Sequence, residues 1–256
     1  MSYAYKTTYR SSGGGPINFF GPLTRTVKYL IIANVAVFGV TTLAAVWWHR
    51  QPGAWGLDPV SGLLALYAVK VFPGGQAWRL GTYLFAHGGL SHVLMNMLAL
   101  WWFGGPLEMI WGWRKFLTYY LVCGIGAGLV CVPYYLLIGE GGVPIVGASG
   151  AIFGLLTAFA LIYPNSLIYL WFVVPIKAKW LVLILMAIEF LTAAQSGGGS
   201  GVANIAHLSG GLIGYFYLRR LMDVKYYYLR FRTRKVKRPF RVVPRDEDED
   251  RPRWLH

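Results

Sequence analysis

Charge is what this sequence has least of. Only 13% of its 256 residues are charged and 56% are hydrophobic, whereas soluble domains carry about 25% charged residues, so an ordinary water-soluble domain is excluded. Acids are scarcest, 10 against 24 Lys and Arg, and no row of carboxylates marks an ion path. Together with the lack of any internal repeat, that counts against a transporter assembled from inverted halves. No HExxH occurs. His87 and His92 are five residues apart, about 140° from a common helix face, which argues against a zinc protease built on them; no metal and no cofactor is expected. Cysteine is limited to Cys123 and Cys131, eight residues apart on one apolar stretch and so about 12 Å apart along a helix. A disulfide needs Cα atoms within about 7 Å, so these two cannot pair and read as small packing residues.

What the sequence has in abundance is long apolar runs. Six approach the roughly 20 residues that cross a bilayer as helix: 27–48, 91–111, 116–138, 149–163, 180–194 and 202–221. They predict an all-α polytopic membrane protein, a bundle of six transmembrane helices forming one domain over 27–221. The first run is about 22 residues, longer than a signal-peptide core of 7 to 15, and is expected to stay as a span. The formal charge of +14 would suggest nucleic acid in a soluble chain, but here the placement of the cations matters more than their sum. With the N-terminus inside, 21 of the 24 basic residues fall on the inner side, and only Arg50, Lys70 and Arg79 lie outside. The positive-inside rule then puts both termini in the cytoplasm. The tail 222–256, basic and aromatic before the acidic run Asp246 to Asp250, reads as an anchor against anionic headgroups, with no nucleic acid as partner. Residues 1–26, with SSGGGP, are expected to be disordered, and their basic, acid-free composition faintly resembles an organelle transit peptide.

Polar groups are costly inside a bilayer and mark function there. In the expected topology spans two, four and six all start at the outer face. His92 and Asn96 open the second, Ser149 opens the fourth, and His207 lies five residues into the sixth, about 7 to 8 Å below its start. Four polar residues from three helices thus share one depth. The fourth span, only about 22 Å long before Pro164, is short of the roughly 30 Å hydrocarbon core, so GEGGVPIVGA ahead of it must dip into the protein, which irregular backbone tolerates only when buried or beside water. Ser149, within GASG, has two readings: a helix N-cap, or a nucleophile at a helix start whose N–H groups face a developing oxyanion. His207 is a candidate base for the second reading. His92 and Asn96, at i and i+4 on one helix face, are candidate donors to an oxyanion; each alone is equally compatible with bundle packing.

The residues WR (Trp78, Arg79), HGGLSHVLMN (His87 to Asn96), GASG (Gly147 to Gly150) and AHLSGGLIG (Ala206 to Gly214), in this order and on these spans, resemble the rhomboid intramembrane serine proteases. GxSG alone is weak; the combination in six spans is specific. The resemblance implies a Ser149–His207 dyad with no carboxylate, and the absence of acids at that depth in spans two, four and six agrees. It implies oxyanion stabilisation by His92 and Asn96, a structural part for His87, and transmembrane proteins as substrates. Phe153 stands where the family often has Tyr, so a stacked ring is retained and a phenol hydroxyl is not. Gly210 and Gly214 form GxxxG, and their expected partner is the fourth helix. The resemblance further implies that residues 49–90 fold partly into the membrane beside the bundle, and that Gln195 to Gly201 caps the site, although a plain flexible connector fits that segment equally. A non-catalytic rhomboid-like binder of transmembrane segments is the alternative, which retention of Ser149 and His207 disfavours. Six spans without an added one fit a bacterial plasma membrane; substrate identity and oligomeric state stay open.

Overall fold

The structure, a computed structural model, describes residues 21–51, 57–170, 173–195 and 202–234. Helices occupy the six predicted spans: α1 (Arg25–Trp48), α5 (Leu90–Trp111), α6 (Trp113–Leu137), α7 (Ser149–Ile162), α8 (Ala178–Gln195) and α9 (Val202–Arg234). Of these, α1, α5, α6 and α8 are long and apolar enough to cross a membrane, while α7 is apolar but has 14 residues, about 21 Å. The protein is an all-α polytopic membrane protein. Its core lies where α5, α6 and α7 meet: Leu100 and Leu107, Phe116 and Tyr120, and Ala151 and Leu155 are all buried. The outer helices turn apolar side chains outward: Ile32, Val35 and Leu43 of α1 and Leu183 and Phe190 of α8 stay exposed. Helices that show apolar side chains outward as well as inward suit lipid rather than water as solvent.

Residues 21–26, expected to be disordered, are ordered. The Trp101 indole N–H donates to the Gly21 carbonyl at 2.8 Å, and α1 begins against α5. Thr24 precedes α1 without making a cap bond of its own, and the first turn holds no acid. The Glu108 carboxylate of α5 fills that role: it accepts from the Thr24 hydroxyl and from the backbone N–H of Thr26 and Val27 at 3.0 and 3.1 Å. An α-helix start leaves four N–H groups without partners, and a carboxylate from another helix satisfies two of them here. Residues 1–20 lie outside the described residues, as does the tail 235–256.

Between α1 and α5 the chain makes three short helices, α2 (Pro59–Leu64), α3 (Ala68–Val71) and α4 (Arg79–Thr82), and a 3-10 turn. Arg79 organises them. It is 3% exposed and donates to Gln76 Oε1 and to the carbonyls of Gly62 and Ala65. Between α7 and α8, where the sequence predicts only a connection, Leu167–Leu170 (β1) pairs antiparallel with Val174–Lys177 (β2), Leu167 opposite Lys177. Ile, Tyr and Val favour strands. The chain divides into two compact units, 1–217 and 218–256, which cuts α9 four residues before the predicted end of the domain at 221. Cys123 and Cys131 are buried and unpaired.

Candidate active site

The approach to α7 is built from two loops that hold each other. Leu66 and Ile145 exchange backbone hydrogen bonds at 2.9 Å in both directions, Val69 N–H donates to the Gly141 carbonyl, and Gly147 N–H to the Tyr83 carbonyl at 2.9 Å. Ile145 and Ala148 are buried, so the segment ahead of α7 does enter the protein. Gly147 has φ +117°, and a Cβ there would lie 2.8 Å from the His92 ring. Glycine at this position both permits the turn and lets an imidazole close on the backbone beside Ser149.

Ser149 is the first helical residue of α7, with Ala148 as its N-cap and no side-chain cap bond. Its hydroxyl is turned elsewhere: Oγ lies 2.7 Å from His207 Nε2. The N-cap position foreseen for Ser149 belongs to Ala148. His207, five residues past Val202 in α9, is held from below by Phe153, whose ring stacks on the imidazole with centroids 4.5 Å apart and planes within 6°. The stacked ring expected at Phe153 is present.

Close backbone contact between α7 and α9 brings the two side chains together. A Cβ on Gly210 would stand 1.9 Å from the Gly150 carbonyl oxygen, and one on Gly214 would stand 3.1 Å from the Gly154 Cα. The partner of the α9 glycine pair is therefore the fourth span, as its sequence suggests. Tyr119 of α6 donates to the Gly154 carbonyl at 2.7 Å, tying a third helix to the same contact.

His92 and Asn96 lie on one face of α5, at the end of the bundle that also holds Ser149. His92 is half-buried and packs on Gly147. Asn96 is buried, and its amide donates to the His92 carbonyl at 3.0 Å, which uses one of its two N–H groups. His87 meets His92 edge-on with ring centroids 5.0 Å apart, and its Nδ1 lies 3.3 Å from the Phe85 carbonyl. Burial, together with the neighbouring His92, pushes its pKa down to about 4, so His87 is neutral at pH 7 and buttresses His92 without charge. Gln195 ends α8, and the rest of the proposed cap, 196–201, lies outside the described residues. No cluster of His, Cys, Asp and Glu among the described residues has the makings of a metal site.

One neighbour was not foreseen from the sequence. Glu189 of α8 brings Oε1 to 2.9 Å from His207 Nδ1. Spans two, four and six hold no acid at this depth, but a carboxylate arrives from the fifth. The available signal was an ionisable residue in an otherwise apolar helix, a feature that marks function by default.

Comparison with known proteins identifies the family. Residues 74–223 match the Rhomboid domain. The chain is 29% identical over 204 residues to Rhomboid protein 1, mitochondrial, of Saccharomyces cerevisiae, covering 79% of this chain and 55% of that one. It is 37% identical over 146 residues to Rhomboid protease GluP of Bacillus subtilis (56% and 25%), and 31% identical over 214 residues to Rhomboid protease AarA of Providencia stuartii (72% and 68%). The chain belongs to the rhomboid family. It spans about half the length of the yeast relative and a quarter of the Bacillus one.

Proposed function

We propose that the protein is an intramembrane serine endopeptidase that cleaves transmembrane protein substrates at the end of the bundle where α5, α7 and α9 open, with Ser149 as nucleophile and His207 as general base. The observation that carries this is the 2.7 Å contact between Ser149 Oγ and His207 Nε2, made by a serine one position past the N-cap of α7. A serine hydroxyl is a weak nucleophile until a base takes its proton. Ser149 Oγ attacks the scissile carbonyl carbon while its proton passes to His207 Nε2. The carbonyl π electrons move to oxygen, where the N–H groups at the start of α7 and the side chains of His92 and Asn96 receive the charge. Collapse expels the amine, which takes the proton from Nε2 and leaves an ester on Ser149. Water then attacks the ester with His207 again as base, releasing the new carboxyl terminus and restoring the hydroxyl.

The substrate helix must unwind locally, because the amides of an intact helix are bonded and enclosed. Relatives named as rhomboid proteases in Bacillus subtilis and Providencia stuartii support peptide-bond cleavage over simple binding. The basic residues on one side of the spans support cytoplasmic termini and contact of the tail with anionic lipid.

The test is turnover of a model single-span substrate by the purified protein in detergent. Wild type is expected to cleave, and Ser149→Ala and His207→Ala are expected to abolish cleavage. Cleavage by Ser149→Ala at the wild-type rate removes the mechanism. A wild type that neither cleaves nor reacts with a fluorophosphonate probe is a binder of transmembrane segments instead.

A further inference from the structure

We infer that Glu189 is a positioning residue for His207, the third member of a Ser149–His207–Glu189 relay whose carboxylate comes from α8. This rests on the reading of Ser149 and His207 as the hydrolytic pair. Both imidazole nitrogens are engaged on opposite sides: Nε2 faces Ser149 Oγ at 2.7 Å, and Nδ1 faces Glu189 Oε1 at 2.9 Å. Nδ1 is buried and has no aligned hydrogen-bond partner among the described residues, so the carboxylate is within ion-pair distance but off the N–H axis. Such contacts in free enzymes are often poorly aligned and tighten when substrate binds.

Glu189 is not at this spot by chance of a flexible arm. Its neighbours Ile188 and Phe190 point outward and are 53% and 62% exposed, whereas the Glu189 side chain is 19% exposed and the His207 side chain 16%. Its backbone is tied to α9 as well, since the Asn204 amide donates to the Glu189 carbonyl at 3.2 Å. Asn204 stands one turn before His207, so a single turn of α9 holds both the imidazole and the segment that carries the carboxylate. A carboxylate on an apolar helix is costly to keep, and a neutral side chain would pack against α9 without that cost. At Nδ1 it does two things. Once the contact aligns it accepts the N–H, which leaves the Nε2 lone pair directed at Ser149, and it offsets the positive charge His207 gains when the Ser149 proton arrives. The proton taken from Ser149 stays on Nε2 until the leaving amine takes it.

The experiment compares wild type, Glu189→Gln, Glu189→Asp and Ser149→Ala in detergent, by steady-state cleavage of a single-span substrate, rate of fluorophosphonate labelling and thermal unfolding. Glu189→Gln keeps the volume and removes the charge. It is expected to lower kcat and the labelling rate together by about 10- to 100-fold, less than the roughly 10⁴-fold loss for a fully enclosed triad carboxylate, with KM unchanged. Glu189→Asp is expected to recover part of that loss, and all variants to unfold at the wild-type temperature. Wild-type kcat and labelling in Glu189→Gln, with Ser149→Ala inactive, overturn the role of Glu189 and leave the hydrolytic pair standing. A loss in Glu189→Gln that Asp does not relieve and that tracks a fall in unfolding temperature makes Glu189 a packing residue and also overturns it. A wild type that neither cleaves nor labels removes the hydrolytic pair, and this inference with it.

Discussion

A single methyl group on Gly210 should pull the proposed nucleophile away from its base. The new Cβ would sit 1.9 Å from the Gly150 carbonyl oxygen and 2.6 Å from its carbon, whereas real Cβ atoms essentially never come within 3.0 Å of another group. Both clashing groups are helix backbone, so no change of rotamer relieves them. Helices α7 and α9 must part by at least about 1.1 Å, the gap between 1.9 and 3.0 Å. Gly150 adjoins Ser149, and Gly210 is one turn past His207, so most of that movement reaches the 2.7 Å contact between them. The contact then opens toward about 3.8 Å, past the roughly 3.2 Å limit of a useful hydrogen bond. A misplacement of about 1 Å costs on the order of 10²-fold in rate, and overfilling a packed interface costs about 1 to 3 kcal/mol of stability. Gly210→Ala should therefore cut turnover of a single-span substrate about 100-fold and lower the unfolding temperature in detergent. Gly39→Ala is the control, because nothing lies within 4 Å of a Cβ there, and its turnover should match wild type. If Gly210→Ala cleaves and unfolds like wild type, the backbone contact does not set the distance between Ser149 and His207.

Two other substitutions probe separate parts of the structure. Asn96→Ala should lower kcat by about 10² to 10³ with little change in KM if its amide serves the oxyanion; steady-state kinetics showing an unchanged kcat would remove Asn96 from that role. Glu108→Gln weakens a carboxylate that satisfies the start of α1, and should cost about 1 to 3 kcal/mol. Thermal unfolding would reveal it as a lower midpoint, and an unchanged midpoint would mean that water satisfies those N–H groups equally well.

The positions of the helices were largely legible in the sequence, because a chain that must satisfy its own backbone bonds in lipid has few options and long apolar runs declare them. Predicted span 149–163 and helix Ser149–Ile162 differ by one residue, since Pro164 ends the run from the chain itself. The order and spacing of His92, Asn96, Ser149 and His207 was legible too, as was the glycine contact that joins α7 to α9. Two things were not. The β1–β2 hairpin lies within an apolar stretch whose composition suits a connection as well as a strand, and only pairing distinguishes them. Glu189 was visible as an isolated acid, but its relation to His207 depends on the rotation of α8 about its axis, which a helix exposed on most of its surface does not record in its pattern. Glu108 was equally hidden, since nothing in residues 21–26 announces that a side chain more than 80 positions away will close the first turn.

The junction of Tyr119, Gly154 and Gly214 carries an evolutionary consequence. The phenol oxygen of Tyr119 occupies the space a Gly214 methyl would take, 2.3 Å from it, while bonding the carbonyl of Gly154. A descendant could gain alanine at 214 only by first surrendering that oxygen. Three letters spread over almost a hundred positions of the chain are thus inherited as one word, and drift in any of them is checked by the other two.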